Sequence, residues 1–172
     1  MDYKIRQENE ADYNEIYKLI QTAFETAKVR DGDEQDYAIG LRNSKHYIPE
    51  LAFVAEKDNK LIGHIMFTKL YVKQQNGEKA EGLLVAPLSV LIEYRNKGIG
   101  STLMKEGLRQ AKELGYKFAI LAGDPDYYSK LGFEQSSHFN IINENGIPDQ
   151  FVLVNRIISN ALDGIQGTIN FY

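Results

Sequence analysis

The sequence of 172 residues predicts a single α/β domain whose sheet is mixed but mostly antiparallel, with about six or seven strands flanked by helices. Three observations predict this class. Short apolar runs in the first half alternate with turn signals such as Asn76-Gly77, a pattern typical of antiparallel hairpins. The second half contains a strand-loop-helix-strand unit, whose two strands should run parallel. Turn signals are spread evenly over residues 1–172 without a linker or repeat, which favours one domain.

The first half of the chain combines two helices with several strands. Residues 3–6 form a predicted strand, and Asn9 then caps a helix. The apolar residues of this helix recur at helical spacing and share one face: Ile16, Leu19, Ile20, Ala23 and Phe24. A second helix at residues 34–44 is weaker because Gly40 lies inside it. The other predicted elements are strands, at residues 51–55, at residues 61–72 and in the run that ends near Val90.

The second half begins with a helix at residues 99–114, whose apolar residues form a single stripe. Gly115 ends this helix, and a strand at residues 117–122 follows it. A short helix at residues 126–131 stops at Gly132. The remaining predicted elements are strands near residues 139–142, 151–154 and 168–171.

The composition excludes several classes of protein. The sequence has no cysteine, which excludes disulfides, thiolate metal sites and a cysteine nucleophile. Its histidines, His46, His64 and His138, lack the spacing of metal ligands, so we expect no metal. A net charge of -4 argues against a protein that binds nucleic acid through a broad basic surface. The sequence shows no membrane-spanning run and no secretion signal, so we expect a cytoplasmic protein without a membrane partner.

Pro87 interrupts an otherwise strand-like run. Proline has no N–H group and therefore cannot lie in a central strand that is paired on both sides. One interpretation is an edge strand or the end of a strand. The other is a bulge that separates this strand from its neighbour and leaves backbone groups of Leu88 and Val90 free to bind something else.

A glycine-containing loop at residues 95–101 joins the strand before it to the helix after it. Gly98 and Gly100 let a ligand approach the backbone, and a helix N-terminus offers unpaired N–H groups, which together suit a pyrophosphate. Arg95 and Lys97 add positive charge. A simple tight turn is the alternative. Two other phosphate-binding motifs do not fit, because no Gly-Lys-Ser/Thr triplet is present and the third glycine of a dinucleotide fingerprint is replaced by Leu103.

A third feature follows the next parallel strand, at residues 124–133. It should emerge at the same edge of the sheet as the glycine-containing loop, where open α/β sheets bind ligands. Tyr127 and Tyr128 are adjacent, so on a helix one can pack while the other faces a ligand. A tyrosine in that position could protonate a leaving group, and the alternative is aromatic packing.

Residues 84–133 resemble the GCN5-related N-acetyltransferases. Three motifs carry the resemblance: Arg95-x-x-Gly98-x-Gly100, Leu88-x-Val90 and Tyr128-x-x-x-Gly132-Phe133. In that family they form the acyl-CoA pyrophosphate loop, the bulged strand that pairs with pantetheine, and a helix whose tyrosine often protonates the thiolate. Gly123-Asp124-Pro125-x-Tyr127-Tyr128 and Gly167-Thr168-Ile169-x-Phe171 are similar to the subgroup of predicted acetyltransferases typified by the YhbS proteins. The chain departs from many relatives at Asp124-Pro125, where they begin that helix with Asn.

The resemblance implies transfer of an acetyl group from acetyl-CoA, as cosubstrate, to a primary amine of a small molecule or protein. It also implies that the parallel central strands are splayed, between the strand that ends at Val90 and the one that starts at Lys117. Two segments would hold the cofactor: Leu88, Ser89, Val90, and Arg95, Asn96, Lys97, Gly98, Ile99, Gly100, Ser101. Because the chain has no cysteine, the amine would attack acetyl-CoA directly in a ternary complex.

The resemblance makes Tyr128 the candidate general acid, since a phenol can donate a proton to the departing thiolate. The candidates for a general base are Glu34, Asp124 and Glu93, each of which also fits a surface acid or a helix cap. His64 lies on a predicted strand, where we expect a structural histidine with satisfied hydrogen bonds.

Two other functions stay open at this point. A non-catalytic module that binds acyl-CoA would keep the fold without transfer, and a nucleotide-binding α/β protein would use the same loop for another phosphate. The family resemblance leaves the oligomeric state open between a monomer and a homodimer.

Overall fold

The computed structural model describes residues 1–28 and 30–171 of the chain. Within them the helices are α1 (Tyr13–Phe24), α2 (Glu34–Arg42), α3 (Ile99–Glu113) and α4 (Pro125–Tyr128). The strands are β1 (Lys4–Gln7), β2 (Tyr47–Lys57), β3 (Lys60–Lys73), β4 (Lys79–Val90), β5 (Phe118–Ala122), β6 (Phe133–Gln135), β7 (Ile141–Asn143), β8 (Val152–Arg156) and β9 (Gly167–Ile169). The predicted α/β class is confirmed.

The strands neighbour one another in the order β1-β2-β3-β4-β5-β8-β6, and β9 pairs with both β3 and β7. The pairs β4–β5 and β7–β9 run parallel. The pairs β1–β2, β2–β3, β5–β8 and β6–β8 run antiparallel, so the mixed, mostly antiparallel sheet is also confirmed. The register of β4 and β5 joins Leu83 to Ala119 and Leu84 to Ile120, before β4 ends at Val90. The parallel pairing of β4 with β5 is therefore short, which agrees with the expectation that the central strands are splayed.

Two strands differ from the expectation. β2 covers Tyr47–Lys57 rather than residues 51–55, because it pairs with β1 along one edge and with β3 along the other. The sequence does not predict β6 (Phe133–Gln135), which has three residues and is held by its pairing with β8. A strand of this length is too short to show an alternating pattern.

The chain divides into two compact units, and β3, β4 and α3 contribute residues to both. The first unit comprises residues 1–68 and 86–110. Its core is formed by fully buried apolar side chains, among them Ile16, Ile20, Leu51, Ile62, Ile65, Phe67 and Ile99. Burial of such side chains supplies the main stabilisation of the unit.

The helical segment that leads into α1 is capped at Asn9, as the sequence predicts, because Asn9 caps the short 3-10 turn Glu10–Asp12 directly before α1. The Asn9 side chain accepts a hydrogen bond from the Ala11 N–H group at 3.0 Å. In return, the Asp12 carboxylate accepts one from the Asn9 N–H group at 2.8 Å. This reciprocal capping box satisfies two N–H groups that have no helical partner, and so fixes where the helical segment begins.

Helix α3 packs unusually close to β3 within the same unit. A Cβ atom added at Gly63 would lie 2.9 Å from Leu103 Cδ1, and one added at Gly107 would overlap the Phe67 ring. Real Cβ atoms do not approach so closely, so a side chain at Gly107 would displace the Phe67 ring, and one at Gly63 would displace the end of the Leu103 side chain. The same contacts place Gly63 and Phe67 on the face of β3 that is covered by α3.

We expect Gly107→Ala to lower the free energy of unfolding in urea. Overpacking of a rigid core costs about 1–3 kcal/mol, which outweighs the gain of about 1 kcal/mol in helix propensity. The Phe67 ring is fully buried, so any shift of the ring would disturb the side chains packed around it. Gly40→Ala is the matched control, because its Cβ would meet nothing within 4 Å. It should stabilise the protein, and equal effects of the two substitutions would contradict the packing argument.

The second unit comprises residues 69–85 and 111–172. Its core includes Leu83, Leu84, Phe118, Ile120, Val154 and Ile169. Gly115 follows α3 with φ of +92°, and Gly132 follows the turn after α4 with φ of +86°. Both glycines adopt the left-handed conformation that ends a helix, as the sequence predicts.

Candidate active site

The glycine-containing loop lies in the first unit and leads into α3. Asn96 and Gly98 adopt left-handed conformations with φ of 59° and 82°, which turn the chain sharply before Ile99 starts the helix. Thr102 N donates to Gly98 O at 3.0 Å and forms the first helical hydrogen bond. The N–H groups of residues 99–101 precede that bond and have no partner inside the helix. Such a helix N-terminus, with its positive dipole end, suits a phosphate group.

The Arg95 side chain is engaged by the protein itself. Its Nη1 donates to Thr26 Oγ1 at 2.7 Å, its Nη2 donates to the Ala23 carbonyl, and its Nε donates to Val90 O at 3.3 Å. Ala23 lies in the last turn of α1, and a positive charge is favourable at the C-terminus of a helix. Arg95 therefore fastens the loop to the end of α1, and its role as a cofactor ligand stays a prediction.

Lys97 and Asn96 are exposed on the loop. The Lys97 ammonium donates to Glu93 O at 3.3 Å and lies 5.5 Å from the centroid of the Tyr94 ring. These contacts leave the charge at the surface of the loop. A mobile ammonium of this kind can bind a phosphate as a point charge.

The end of β4 precedes the loop and belongs to the same unit. Leu88 and Val90 are half-buried, whereas Ser89 is buried and its Oγ has no hydrogen-bond partner among the described residues. The Ala86–Pro87 peptide bond is cis. Val90 O accepts a hydrogen bond from Arg95. One of the backbone groups that we expected to be free for a cofactor is therefore already bonded within the protein. The predicted bulge at Pro87 stays a prediction.

Tyr128 lies in the second unit, at the end of α4. Its ring meets the Phe133 and Tyr127 rings edge to face, with centroid distances of 5.6 and 4.9 Å. Burial raises the pKa of Tyr128, and the nearby Asp124 carboxylate acts in the same direction. The phenol is therefore protonated at neutral pH, which is the state that a general acid needs. Tyr127 is 41% exposed, so the two adjacent tyrosines differ in burial as helical spacing permits.

Each predicted base carboxylate has a partner within the protein. Glu34 accepts hydrogen bonds from the N–H groups of Asp31 and Gly32, both at 2.9 Å. Asp124 caps α4 by accepting from Asp126 N at 3.0 Å. Glu93 is exposed, with an N–H group and the Lys60 ammonium holding the pKa of its carboxyl below the ordinary value. These interactions give each of the three carboxylates a structural role. Their catalytic roles stay predictions.

A buried polar cluster in the first unit has no signal in the sequence. His64 Nε2 lies 2.7 Å from Glu8 Oε1, and both side chains are fully buried. Arg42 and the Tyr47 hydroxyl also donate to the Glu8 carboxylate, at 2.7 and 2.9 Å. His64 Nδ1, in contrast, is buried without a partner among the described residues. The expectation that hydrogen bonds satisfy His64 is therefore wrong for one of its two nitrogens, because β3 buries the ring and Glu8 reaches a single nitrogen.

Within residues 1–28 and 30–171, no group of three or more His, Cys, Asp or Glu residues could hold a metal ion. No helix of this region combines the length and the apolar character that crossing a bilayer requires.

Comparison with known proteins gives one consistent result. A family model described as an acetyltransferase (GNAT) domain matches residues 4–136. The uncharacterised N-acetyltransferase YhbS of Escherichia coli K12 is 32% identical over 123 residues, which cover 71% of this chain and 72% of that protein. The identity therefore extends over most of both sequences.

Two solved structures are similar over nearly the whole chain. Escherichia coli YhbS in complex with CoA superposes with a TM-score of 0.87 at 29% identity, over 99% of this chain and 89% of that one. A GNAT family acetyltransferase from Brucella melitensis in complex with acetyl-CoA has a TM-score of 0.78 at 27% identity, over 98% of this chain and 94% of that one. Both structures contain CoA or its acetyl form.

Proposed function

Because this chain belongs to the GNAT family of acetyltransferases, we propose that it moves the acetyl group of acetyl-CoA to a primary amine by direct attack in a ternary complex. The acceptor is a small molecule or a protein. The observation that carries the proposal is the N-terminus of α3, where the left-handed Gly98 turns the chain and leaves N–H groups at residues 99–101 for a pyrophosphate.

The composition removes one alternative to the direct route. A chain without cysteine cannot form an acyl-cysteine intermediate, and attack of the amine nitrogen on the thioester carbonyl carbon is then the default. Holding both reactants in one complex supplies several kcal/mol of the barrier. Backbone donors at Leu88 and Val90 would stabilise the charge that develops on the carbonyl oxygen. Tyr128 would then donate its proton to the departing thiolate.

Three further assignments accompany this proposal. We assign residues 1–172 to one acyl-CoA N-acyltransferase domain. The elements β3, β4 and α3 each contribute residues to both units, which supports this assignment. The cytoplasmic location stays a prediction, as does the absence of nucleic-acid and membrane partners. The choice between a monomer and a homodimer is also open to measurement.

Hydrogen exchange tests the cofactor assignment. We expect acetyl-CoA to protect the backbone amides of residues 88–101, because the pyrophosphate and pantetheine would bond to them. A mass-spectrometric exchange experiment with and without acetyl-CoA measures this protection. Protection confined to other segments would contradict the assignment, and competition by ATP or NAD but not by CoA would favour a nucleotide-binding protein.

Release of free thiol tests the transfer. The protein is mixed with acetyl-CoA and spermidine, or with acetyl-CoA and a lysine-containing tripeptide, and thiol formation is followed by a colorimetric reagent. An amine-dependent rate supports the acetyltransferase. Tight binding of acetyl-CoA without turnover on any amine of a wider panel would favour the non-catalytic module instead.

A further inference from the structure

Tyr128 belongs to a helical segment that is too short to hold it in place by itself. The helix α4 (Pro125–Tyr128) has four residues, and it lies in the second unit. Isolated helices shorter than about 12–15 residues are marginal in water, so the internal hydrogen bonds of α4 do not make it rigid. A general acid has to lie within hydrogen-bond reach of the atom that takes its proton. The position of the Tyr128 phenol therefore depends on contacts with neighbouring segments.

The ring of Tyr128 lies directly against the backbone of Gly123. A Cβ atom added at Gly123 would lie 2.5 Å from Tyr128 Cε2 and 3.0 Å from Tyr128 Cδ2. Real Cβ atoms essentially never approach a ring so closely, so the Tyr128 ring occupies the space that a side chain at this position needs. Gly123 does not adopt a left-handed conformation. Close approach of the ring, rather than the conformation of the chain, therefore explains a glycine here.

The sheet fixes the backbone of Gly123. In the pairing of β5 with β8, Ala122 lies opposite Val152. Gly123 N donates to Phe151 O at 2.8 Å, which continues this pairing one residue beyond β5. A methyl group at Gly123 could not be accommodated by a free movement of the chain, so it would displace the Tyr128 ring instead.

Asp124 connects β5 to α4 and ties the backbone of Tyr128. Its carboxylate accepts a hydrogen bond from Asp126 N at 3.0 Å. Its carbonyl oxygen accepts from Tyr127 N and from Tyr128 N, both at 3.1 Å. Pro125 follows in the first turn of α4, where its fixed φ suits a helix start. The residues Asp124 and Pro125, at which the chain departs from many relatives, therefore define how α4 begins.

We propose that Gly123 and Asp124 are positioning residues for Tyr128: Gly123 provides the space against which the ring packs, and Asp124 caps the helix that carries it. This inference rests on the proposed function, in which Tyr128 protonates the departing thiolate. Both residues act through Tyr128, and the Phe133 ring, which meets Tyr128 edge to face at 5.6 Å, limits the ring further. Misplacement of a reacting group by about 1 Å can cost about 100-fold in rate, so these contacts matter for turnover.

Gly123→Ala tests the positioning in a double-mutant cycle with Tyr128→Phe. The added methyl group displaces the phenol, so we expect kcat with acetyl-CoA and spermidine or the lysine-containing tripeptide to fall by about 10–100-fold. The dissociation constant for acetyl-CoA should change by no more than about three-fold. In the Tyr128→Phe background no phenol remains to be displaced, and Gly123→Ala should lower kcat by less than about three-fold.

Gly82→Ala is the matched control for this cycle. Its Cβ would overlap the buried ring of Phe118, so it overpacks the second unit without touching Tyr128. Any effect of Gly82→Ala on kcat should have the same size in the wild-type and Tyr128→Phe backgrounds. An effect of Gly123→Ala that is equally large in both backgrounds would overturn the positioning role, because it would then reflect a general loss of structure.

Two substitutions of Asp124 separate a capping role from the proton chemistry of a carboxylate. Asparagine caps a helix about as well as aspartate, whereas alanine does not. We therefore expect kcat of Asp124→Asn to exceed that of Asp124→Ala by about five-fold or more. Equal kcat values in the two variants would overturn the positioning role of Asp124.

Proton NMR of the wild type adds a readout that needs neither turnover nor a folded Gly123→Ala variant. One Hα atom of Gly123 points where a Cβ atom would lie, so the Tyr128 ring should shift its resonance, and Tyr128→Leu should remove that shift. A Gly123 resonance that is unchanged in Tyr128→Leu would overturn the contact. A wild type that neither binds acetyl-CoA nor releases thiol contradicts the proposed function itself, whereas an active wild type with additive substitutions contradicts the positioning alone.

Discussion

Replacement of Glu8 by alanine is expected to lower the free energy of unfolding by about 3–5 kcal/mol, because it leaves a buried cation without its partner. Arg42 Nε lies 2.7 Å from Glu8 Oε2, with the two side chains 7% and 0% exposed. His64 Nε2 and the Tyr47 hydroxyl would also lose their acceptor. Urea denaturation followed by circular dichroism measures the loss. Glu50→Ala, at an exposed position of β2, is the control and should change stability by less than about 0.5 kcal/mol.

The same carboxylate makes stability depend on pH. In the folded protein the pKa of Glu8 is about 2, below its ordinary value of 4.5, so folding favours the ionised form. The stabilisation is complete above the ordinary pKa and is lost as the pH falls from about 4.5 to about 2. It corresponds to about 3 kcal/mol. Unfolding measured at pH 7 and pH 3 should show a smaller acid loss in Glu8→Ala than in wild type, and parallel losses in the two proteins would contradict this assignment.

Tyr128→Phe is expected to reduce kcat by about 10²–10⁴-fold while the dissociation constant for acetyl-CoA changes by no more than about three-fold. Phenylalanine keeps the edge-to-face contacts with Phe133 and Tyr127 but cannot protonate the thiolate. Burial raises the pKa of Tyr128, so the wild-type phenol carries its proton throughout the neutral range. Steady-state thiol release gives kcat, and calorimetric titration gives the affinity.

Tyr127→Phe is the control for this measurement, because the neighbouring side chain has the same chemistry and is 41% exposed. It should leave kcat and the affinity for acetyl-CoA close to wild type. An unchanged kcat in Tyr128→Phe would remove Tyr128 from the role of general acid. Equal losses in both variants would indicate that α4 as a whole, rather than one phenol, matters for turnover.

Local signals in the sequence predict much of the fold. The cap at Asn9 and the helix end at Gly115 are found where their chemistry requires them, because capping depends on residues three or four positions apart. The family resemblance, carried by motifs within residues 84–133, is confirmed by the family model and by YhbS. β6 escapes prediction because three residues gain their strand conformation from pairing with β8 alone.

The candidate site also has one part that the sequence predicts and one part that it does not. The loop at residues 95–101 is a continuous motif, so the sequence alone identifies it. Glu8 directly follows β1, and its partners Arg42, Tyr47 and His64 come from α2, β2 and β3, so only the folded chain brings the cluster together. No spacing along the chain joins these residues. Two of the three partners of Arg95, Ala23 and Thr26, are equally remote in sequence, since they belong to α1 and to the turn after it.

The attachment of Arg95 to α1 has a consequence for protein engineering. One guanidinium holds Val90, Ala23 and Thr26 together, so the loop is not an independent module that can be transplanted on its own motif. A graft that copied residues 95–101 into another scaffold would lose the anchor supplied by α1. Conversely, redesign of the last turn of α1 would shift the loop that we assign to the cofactor. The two segments therefore have to be redesigned as a pair.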